Sequence, residues 1–123
     1  MKTTDHNLAK EKDPCAGLEP RAGCIAGAMQ IIGNKWTALI LRDLNTGPKR
    51  FNELEKLVSG INPRTLSQRL DDLQVHGIIT KQSFAEVPPR TLYTLTQKGK
   101  DLVPVLIQMS SWGDKYYTLP KYR

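Results

Sequence analysis

Apolar residues return along this chain at helical spacing for most of its length, and at every second position over one stretch beyond its middle. Ile25, Ala28, Met29 and Ile32 stand three or four apart, which predicts a short first helix over 24–32 that Gly33 stops. Asn34 suits the N-cap of a second helix, because its side-chain oxygen can accept an amide hydrogen left free in the first turn. Trp36, Leu39, Ile40 and Leu44 give that helix a broad apolar face, and the breaker cluster Asn45-Thr46-Gly47-Pro48 ends it. A third helix of about two turns follows. It carries Phe51, Leu54, Leu57 and Val58 on one face and Asn52, Glu53, Glu55 and Lys56 on the other.

Ser59-Gly60-Ile61 makes a tight corner, where Gly60 can take the positive φ that such a corner demands. Asn62-Pro63 then opens a fourth helix with the favoured pair of N-cap asparagine and N1 proline. Leu66, Leu70 and Leu73 form its inward stripe, and Gly77 caps its C-terminus. His76 falls in the last turn, where a structural role near the negative end of the helix dipole is the better reading.

Beyond Gly77 the period changes to two, in the runs 78–84 and 91–95, which read as a hairpin. Its tip, Ala85-Glu86-Val87-Pro88-Pro89-Arg90, is too long for a two-residue turn. Thr96 caps a last helix striped by Leu102, Val105, Leu106, Met109, Trp112 and Tyr116, with Pro104 inside it, where a kink is expected. Residues 1–23 lack apolar periodicity and read as a flexible arm, 24–117 as the ordered domain, and 118–123 as a tail.

The chain has 123 residues, 39% hydrophobic and 24% charged, which fits one globular domain and argues against wholesale disorder. Its 18 basic and 12 acidic residues leave a charge of +6. Residues 1–24 hold four of each sign, so the excess lies in the remainder, and a positive field there favours a polyanionic partner. No apolar run approaches the roughly 20 residues that span a bilayer, and the N-terminus is unlike a signal peptide, so a cytoplasmic protein without a membrane role is expected. Cys15 and Cys24 then read as reduced thiols rather than a structural bridge. No metal or cofactor is expected, since His6 and His76 lack ligands at a metal-binding spacing. There is no nucleophile–base pair, paired carboxylate or phosphate loop to suggest an enzyme.

The order of helix, short helix, tight corner, capped helix and hairpin is that of a winged helix-turn-helix, an α+β fold that is mainly helical, with a two-stranded β-hairpin wing. In that arrangement the fourth helix enters the major groove of double-stranded DNA with its N-terminal residues foremost. With the leucines turned inward, Arg64 and Gln68 face outward, flanked by Thr65 and Ser67, and Asn62 precedes them. Arg64 can pair with guanine O6 and N7 and Gln68 with adenine N6 and N7, while Thr65 and Ser67 suit phosphate or a base edge. Lys49, Arg50, Lys56, Lys81 and Arg90 are candidate phosphate contacts, and the hairpin either straddles the backbone or places Arg90 in a minor groove. Asp71-Asp72 would repel phosphate, which puts that stretch in solvent and off the DNA. A polar helix face is also what plain solvation produces, and a protein-interaction module without its own operator is the alternative to a DNA-binding regulator.

The chain resembles the HxlR-type winged helix-turn-helix transcription regulators, relatives of the MarR group. The likeness lies in Ile32-Gly33-Asn34-Lys35-Trp36, Gly47-Pro48-Lys49-Arg50-Phe51-Asn52-Glu53-Leu54, Ile61-Asn62-Pro63-Arg64-Thr65-Leu66-Ser67-Gln68-Arg69-Leu70, Pro88-Pro89-Arg90, Tyr93-Thr94-Leu95-Thr96 and Gly99 with Leu102, Pro104 and Trp112. The resemblance implies a homodimeric regulator on a near-palindromic operator. The N- and C-terminal helices would dimerise, with Leu102, Leu106, Met109 and Trp112 as candidate contacts. Many members of that family carry a cysteine just before the first helix, commonly followed by proline, and some use it to sense oxidants or electrophiles. Cys24 lies near that place but is followed by Ile25, whereas Cys15 follows Pro14. A disulfide between subunits, or between Cys15 and Cys24, would be the switch.

Overall fold

The computed structural model describes residues 24–88 and 90–117. The chain forms two compact units, Met1–Asn34 and Lys35–Arg123. The arm at 1–23, Cys15 and the tail at 118–123 lie outside the described residues.

The first unit contributes one described helix, α1 (Ile25–Ile32). Gly33 is its C-cap, as the sequence predicts, although with φ −76° and not in the left-handed region. A different constraint requires the glycine: a Cβ there would collide with the Met29 carbonyl oxygen. Of the apolar residues that define the helix, Ile32 is buried while Ile25 and Met29 are exposed.

The second unit runs α2 (Lys35–Leu44), α3 (Phe51–Leu57), α4 (Pro63–Val75), β1 (Ile79–Phe84), β2 (Arg90–Leu95) and α5 (Gln97–Tyr116). Its core is aliphatic, with Ile40, Leu41, Leu54, Val58, Leu66, Leu70, Leu73 and Ile78 almost wholly buried. Burying one such side chain contributes roughly 1.5–3 kcal/mol, so this cluster is the main attraction that fixes the helices on one another. Leu57 departs from expectation. Helical spacing puts both Leu57 and Val58 on the inner face of α3, but the helix ends at Leu57, which is 46% exposed, and only Val58 is buried.

Glycines with positive φ shape the corners: Gly47 (+133°) between α2 and α3, Gly60 (+90°) between α3 and α4, and Gly77 (+73°) after α4. At Gly77 the amide donates to Gln74 O and the next amide, Ile78, to Leu73 O. This paired closure satisfies carbonyls that the helix end would otherwise leave open.

β1 and β2 pair antiparallel, Ile79 opposite Leu95 through Phe84 opposite Arg90. Each strand starts one residue away from the predicted run. The sheet also gains a rung that periodicity did not foretell. Lys49, just before α3, exchanges both backbone hydrogen bonds with Tyr93, at 3.1 and 2.8 Å. That rung ties the approach to α3 to the inner side of the wing.

The N-terminus of α5 is locked to the end of α4. Thr96 accepts the Gly99 amide as N-cap, and its hydroxyl lies 2.6 Å from Gly77 O. Lys98 Nζ donates to His76 O at 2.7 Å, so a lysine supplies the cap charge at a helix terminus whose own last turn has no basic residue. Pro104 lies inside α5, which continues through it to Tyr116.

Candidate nucleic-acid interface

The geometry of α4 follows from its two ends and its stripe. Asn62 Oδ1 accepts the Thr65 amide at 2.8 Å, Pro63 occupies the first turn, and Leu66, Leu70 and Leu73 are buried. Those three leucines fix the rotation of the helix about its axis. Arg64, Ser67 and Gln68 are consequently exposed, and Thr65 is half-buried. Asn62 is exposed as well, but its side-chain oxygen is committed to the cap. Near the start of the helix, Arg64 and Gln68 thus present one outward edge, and neither is held by an ion pair among the described residues.

The basic residues flanking this edge divide into free and engaged groups. Arg50 and Lys56 are exposed on α3, where Glu53 reaches back to accept the Arg50 amide at 2.7 Å and fixes the helix start. Lys49 is half-buried, and its ammonium donates to Thr46 Oγ1 at 2.7 Å and Gly47 O at 3.1 Å. Its first duty is therefore to close the α2–α3 loop.

On the wing, side chains alternate between faces. Lys81 stands opposite Tyr93 and shares the face that Ile79 and Leu95 bury against the helices, yet Lys81 itself is exposed. Arg90 lies on the other face, opposite Phe84. Its guanidinium stacks 4.4 Å from the Phe84 ring centroid and pairs with Glu86 at 3.0 Å. The sequence offers both Lys81 and Arg90 as phosphate contacts, with a minor groove as the alternative for Arg90. In the structure Arg90 has two partners within the wing, whereas Lys81 has no ion pair among the described residues.

Two acidic positions complete the surface. Asp72 pairs with Arg69 at 3.3 Å, while Asp71 forms no ion pair among the described residues; both are exposed. Tyr93 holds its phenolic proton more tightly than an ordinary tyrosine, first because it is buried and second because the Asp71 carboxylate opposes a phenolate. Sequence reading missed Lys98 and Tyr93. Their roles depend on partners 22 and 44 residues away, a His76 carbonyl and a Lys49 backbone pair.

Elsewhere, α5 leaves large apolar side chains uncovered: Ile107 (54%), Met109 (46%), Trp112 (64%) and Tyr116 (61%). Leu102 and Leu106 are half-buried. Trp112 and Tyr116 pack ring to ring, 5.3 Å between centroids. In the first unit, Cys24 is the N-cap of α1, its sulfur accepting the Gly27 amide at 3.1 Å. Cys24 is disulfide-bonded, which corrects the expectation of a reduced thiol. That expectation rested on the inferred compartment, and compartment does not determine which sulfurs the chain brings within bonding distance.

Comparisons with known proteins agree with this geometry. Residues 31–120 match a family described as HxlR-like helix-turn-helix. The HTH-type transcriptional regulator YdeP of Bacillus subtilis is 41% identical over 95 residues, 76% of this chain and 74% of the relative. Among solved structures, the redox regulator HypR in its reduced form superposes with a TM-score of 0.74 at 30% identity, covering 82% of this chain and all of that one. Diamide-treated YodB from B. subtilis gives a TM-score of 0.68 at 33% identity over 80% of this chain and all of that one.

Proposed function

Because this chain belongs to the HxlR-like helix-turn-helix family and is a transcriptional regulator with a winged helix-turn-helix fold, we propose that it binds a near-palindromic operator as a homodimer, with α4 in the major groove. One observation carries this reading. The exposed Arg64–Gln68 edge is aimed outward by three buried leucines and is capped at the end that would enter the groove first. Arg64 reads a guanine, Gln68 an adenine, and Thr65 and Ser67 take phosphate or a base edge. Asn62 acts chiefly by fixing the helix start. Arg50, Lys56 and Lys81 neutralise phosphates, and Lys49 contributes from its loop-closing position. The protein works where the DNA is, in the cytoplasm.

The apolar side chains that α5 leaves in solvent support association of two copies through Met109 and Trp112, with Leu102 and Leu106 at the edge of the contact. A symmetric dimer presents two reading helices, which matches a two-fold operator.

The state of Cys24 supports redox control. Two thiols lose two electrons and two protons to an oxidant such as diamide, which is reduced to its hydrazine as the disulfide forms. Cys24 stands at the N-cap of α1, where its sulfur meets the Gly27 amide. Whether Cys15 supplies the second sulfur, within one chain or across the dimer, is decided by mass spectrometry of non-reduced peptides.

The whole reading is tested by selecting sequences from a random duplex pool and measuring binding against salt. A shared two-fold motif is expected, with log affinity falling against log salt by about 0.9 per phosphate contact. Equal binding to every duplex, or none, overturns it. Diamide is expected to change affinity for the selected motif, and an unchanged response in Cys24→Ser clears that residue of a sensing role.

A further inference from the structure

The outward edge of α4 does not stop at Gln68. At about 100° per residue, Asp71 falls within about 20° of Arg64, roughly two turns and 10 Å further along the axis. It is exposed there. Arg64, Gln68 and Asp71 therefore make one ridge, and a length of about 10 Å corresponds to about three base-pair steps of a duplex. The sequence places Asp71 and Asp72 together as a stretch kept off the DNA. The structure separates them. Arg69 holds Asp72 at 3.3 Å, while Asp71 has no ion-pair partner among the described residues.

A free carboxylate on such a ridge has a definite chemical preference. It lowers affinity for phosphate everywhere, and α4 as a whole is left neutral, its two arginines offset by two aspartates. That arrangement is unfavourable for a helix that only holds the backbone. It suits one that rejects most sequences. In the major groove guanine shows two acceptors and thymine one, and each repels a carboxylate; adenine sets its amino donor beside the N7 acceptor, whereas cytosine shows an amino donor alone.

We propose that Asp71 is a specificity-determining residue of the reading helix, accepting a hydrogen bond from the amino group of a cytosine and excluding sites that turn a guanine or thymine edge towards it. This rests on the DNA-binding reading above and extends it by one position. The ridge then reads guanine, adenine and cytosine in the order Arg64, Gln68, Asp71.

The test uses the full chain and a random-sequence duplex pool, with selection and sequencing for wild type, Asp71→Asn and Asp71→Ser. Asparagine pairs with adenine N6 and N7. One position of each half-site is therefore expected to change from cytosine to adenine in the asparagine variant and to lose definition in the serine variant, with the rest of the motif kept. Affinity of Asp71→Asn for the unselected pool is expected to rise about fivefold or more relative to its affinity for the wild-type motif, the size of one lost base contact. If all three proteins select one motif, and affinities for motif and pool rise in equal proportion, Asp71 is a general surface charge and the proposal is overturned. If wild type selects no motif at all, the DNA-binding reading itself fails, which is a different result.

Discussion

Arg90 and Phe84 face each other across the wing as a directly opposed pair, the guanidinium 4.4 Å from the ring centroid, and Glu86 holds the same guanidinium from the tip. An arginine so placed stabilises the hairpin end. An exposed cation–π contact contributes about 0.5–1 kcal/mol and a surface ion pair about 0.2–1 kcal/mol. Arg90→Ala is therefore expected to lower stability by about 1 kcal/mol in urea denaturation. Base preference should stay unchanged. Arg90→Lys should recover only part of the loss, since an ammonium does not stack as a planar guanidinium does. A variant with full stability but a salt slope reduced by about one unit would instead identify Arg90 as a phosphate contact.

Arg64 and Lys81 separate base reading from backbone attraction. Arg64→Ala is expected to cost about 1–3 kcal/mol on the selected motif and to relax preference at one position. Lys81→Ala should weaken all duplexes alike and flatten the salt slope by about one unit. Fluorescence anisotropy on the motif and on unselected duplex, each at several salt concentrations, distinguishes the two. The opposite pattern would exchange their roles.

The reading helix was legible in sequence because its determinants are local. An Asn-Pro start, leucines at 66, 70 and 73 and a glycine at 77 are all read within one short window, and each does in the structure what its position predicts. The tie between Lys49 and Tyr93 was not legible. A single backbone rung between distant residues leaves no periodicity, and Lys49 looks like any surface lysine. The same holds for Lys98, whose partner is a carbonyl, a group every residue carries. The partners of Arg90 were not legible either, because charge alone does not show that Glu86 and Phe84 hold its guanidinium within the wing. On α3, helical phase placed Leu57 inward, but the helix ends at that residue and phase no longer governs it.

Gly99 and Gly113 lie in the same helix and are expected to respond oppositely to alanine. A Cβ at Gly99 would run into Ile78 O and approach Leu95 and Ile78 side chains at 3.0 and 3.2 Å. Backbone at the α4–β1 junction does not yield easily. Gly99→Ala is expected to destabilise by about 1–3 kcal/mol despite its better helix propensity. At Gly113 nothing lies within 4 Å, so Gly113→Ala should gain up to about 1 kcal/mol from propensity. Thermal melts of both variants check the pair, and equal shifts would remove the close approach as the reason for Gly99.

The Tyr93 phenol gives the fold an alkaline limit. Its pKa in the folded state is raised above the ordinary value of 10.0 by burial and then by Asp71. An unfolded chain ionises this tyrosine near pH 10, so above that pH the folded state binds more protons than the unfolded one, and stability falls as pH rises. The contribution is fully present below about pH 10 and disappears as pH passes through the raised folded value. Tyr93→Phe should remove this part of the alkaline decline, measured as the difference in urea midpoints between variant and wild type from about pH 9 to 11. Parallel midpoints over that range would show that the phenol is not linked to folding.

Trp112 is the sharpest probe of association. It is 64% exposed on α5, stacks only with Tyr116 among the aromatic rings of the described residues, and a two-fold interface would contain it twice. A central aromatic in such a contact commonly contributes about 2 kcal/mol or more, so losing it from both copies should raise the dimer dissociation constant about a thousandfold. Trp112→Glu is therefore expected to sediment as a monomer at concentrations where wild type is dimeric, with its helical circular dichroism retained. Its affinity for one half-site should be near that of wild type, while the gain from joining two half-sites is lost. A variant that remains dimeric and keeps full affinity for the two-fold motif would place the interface elsewhere on the molecule.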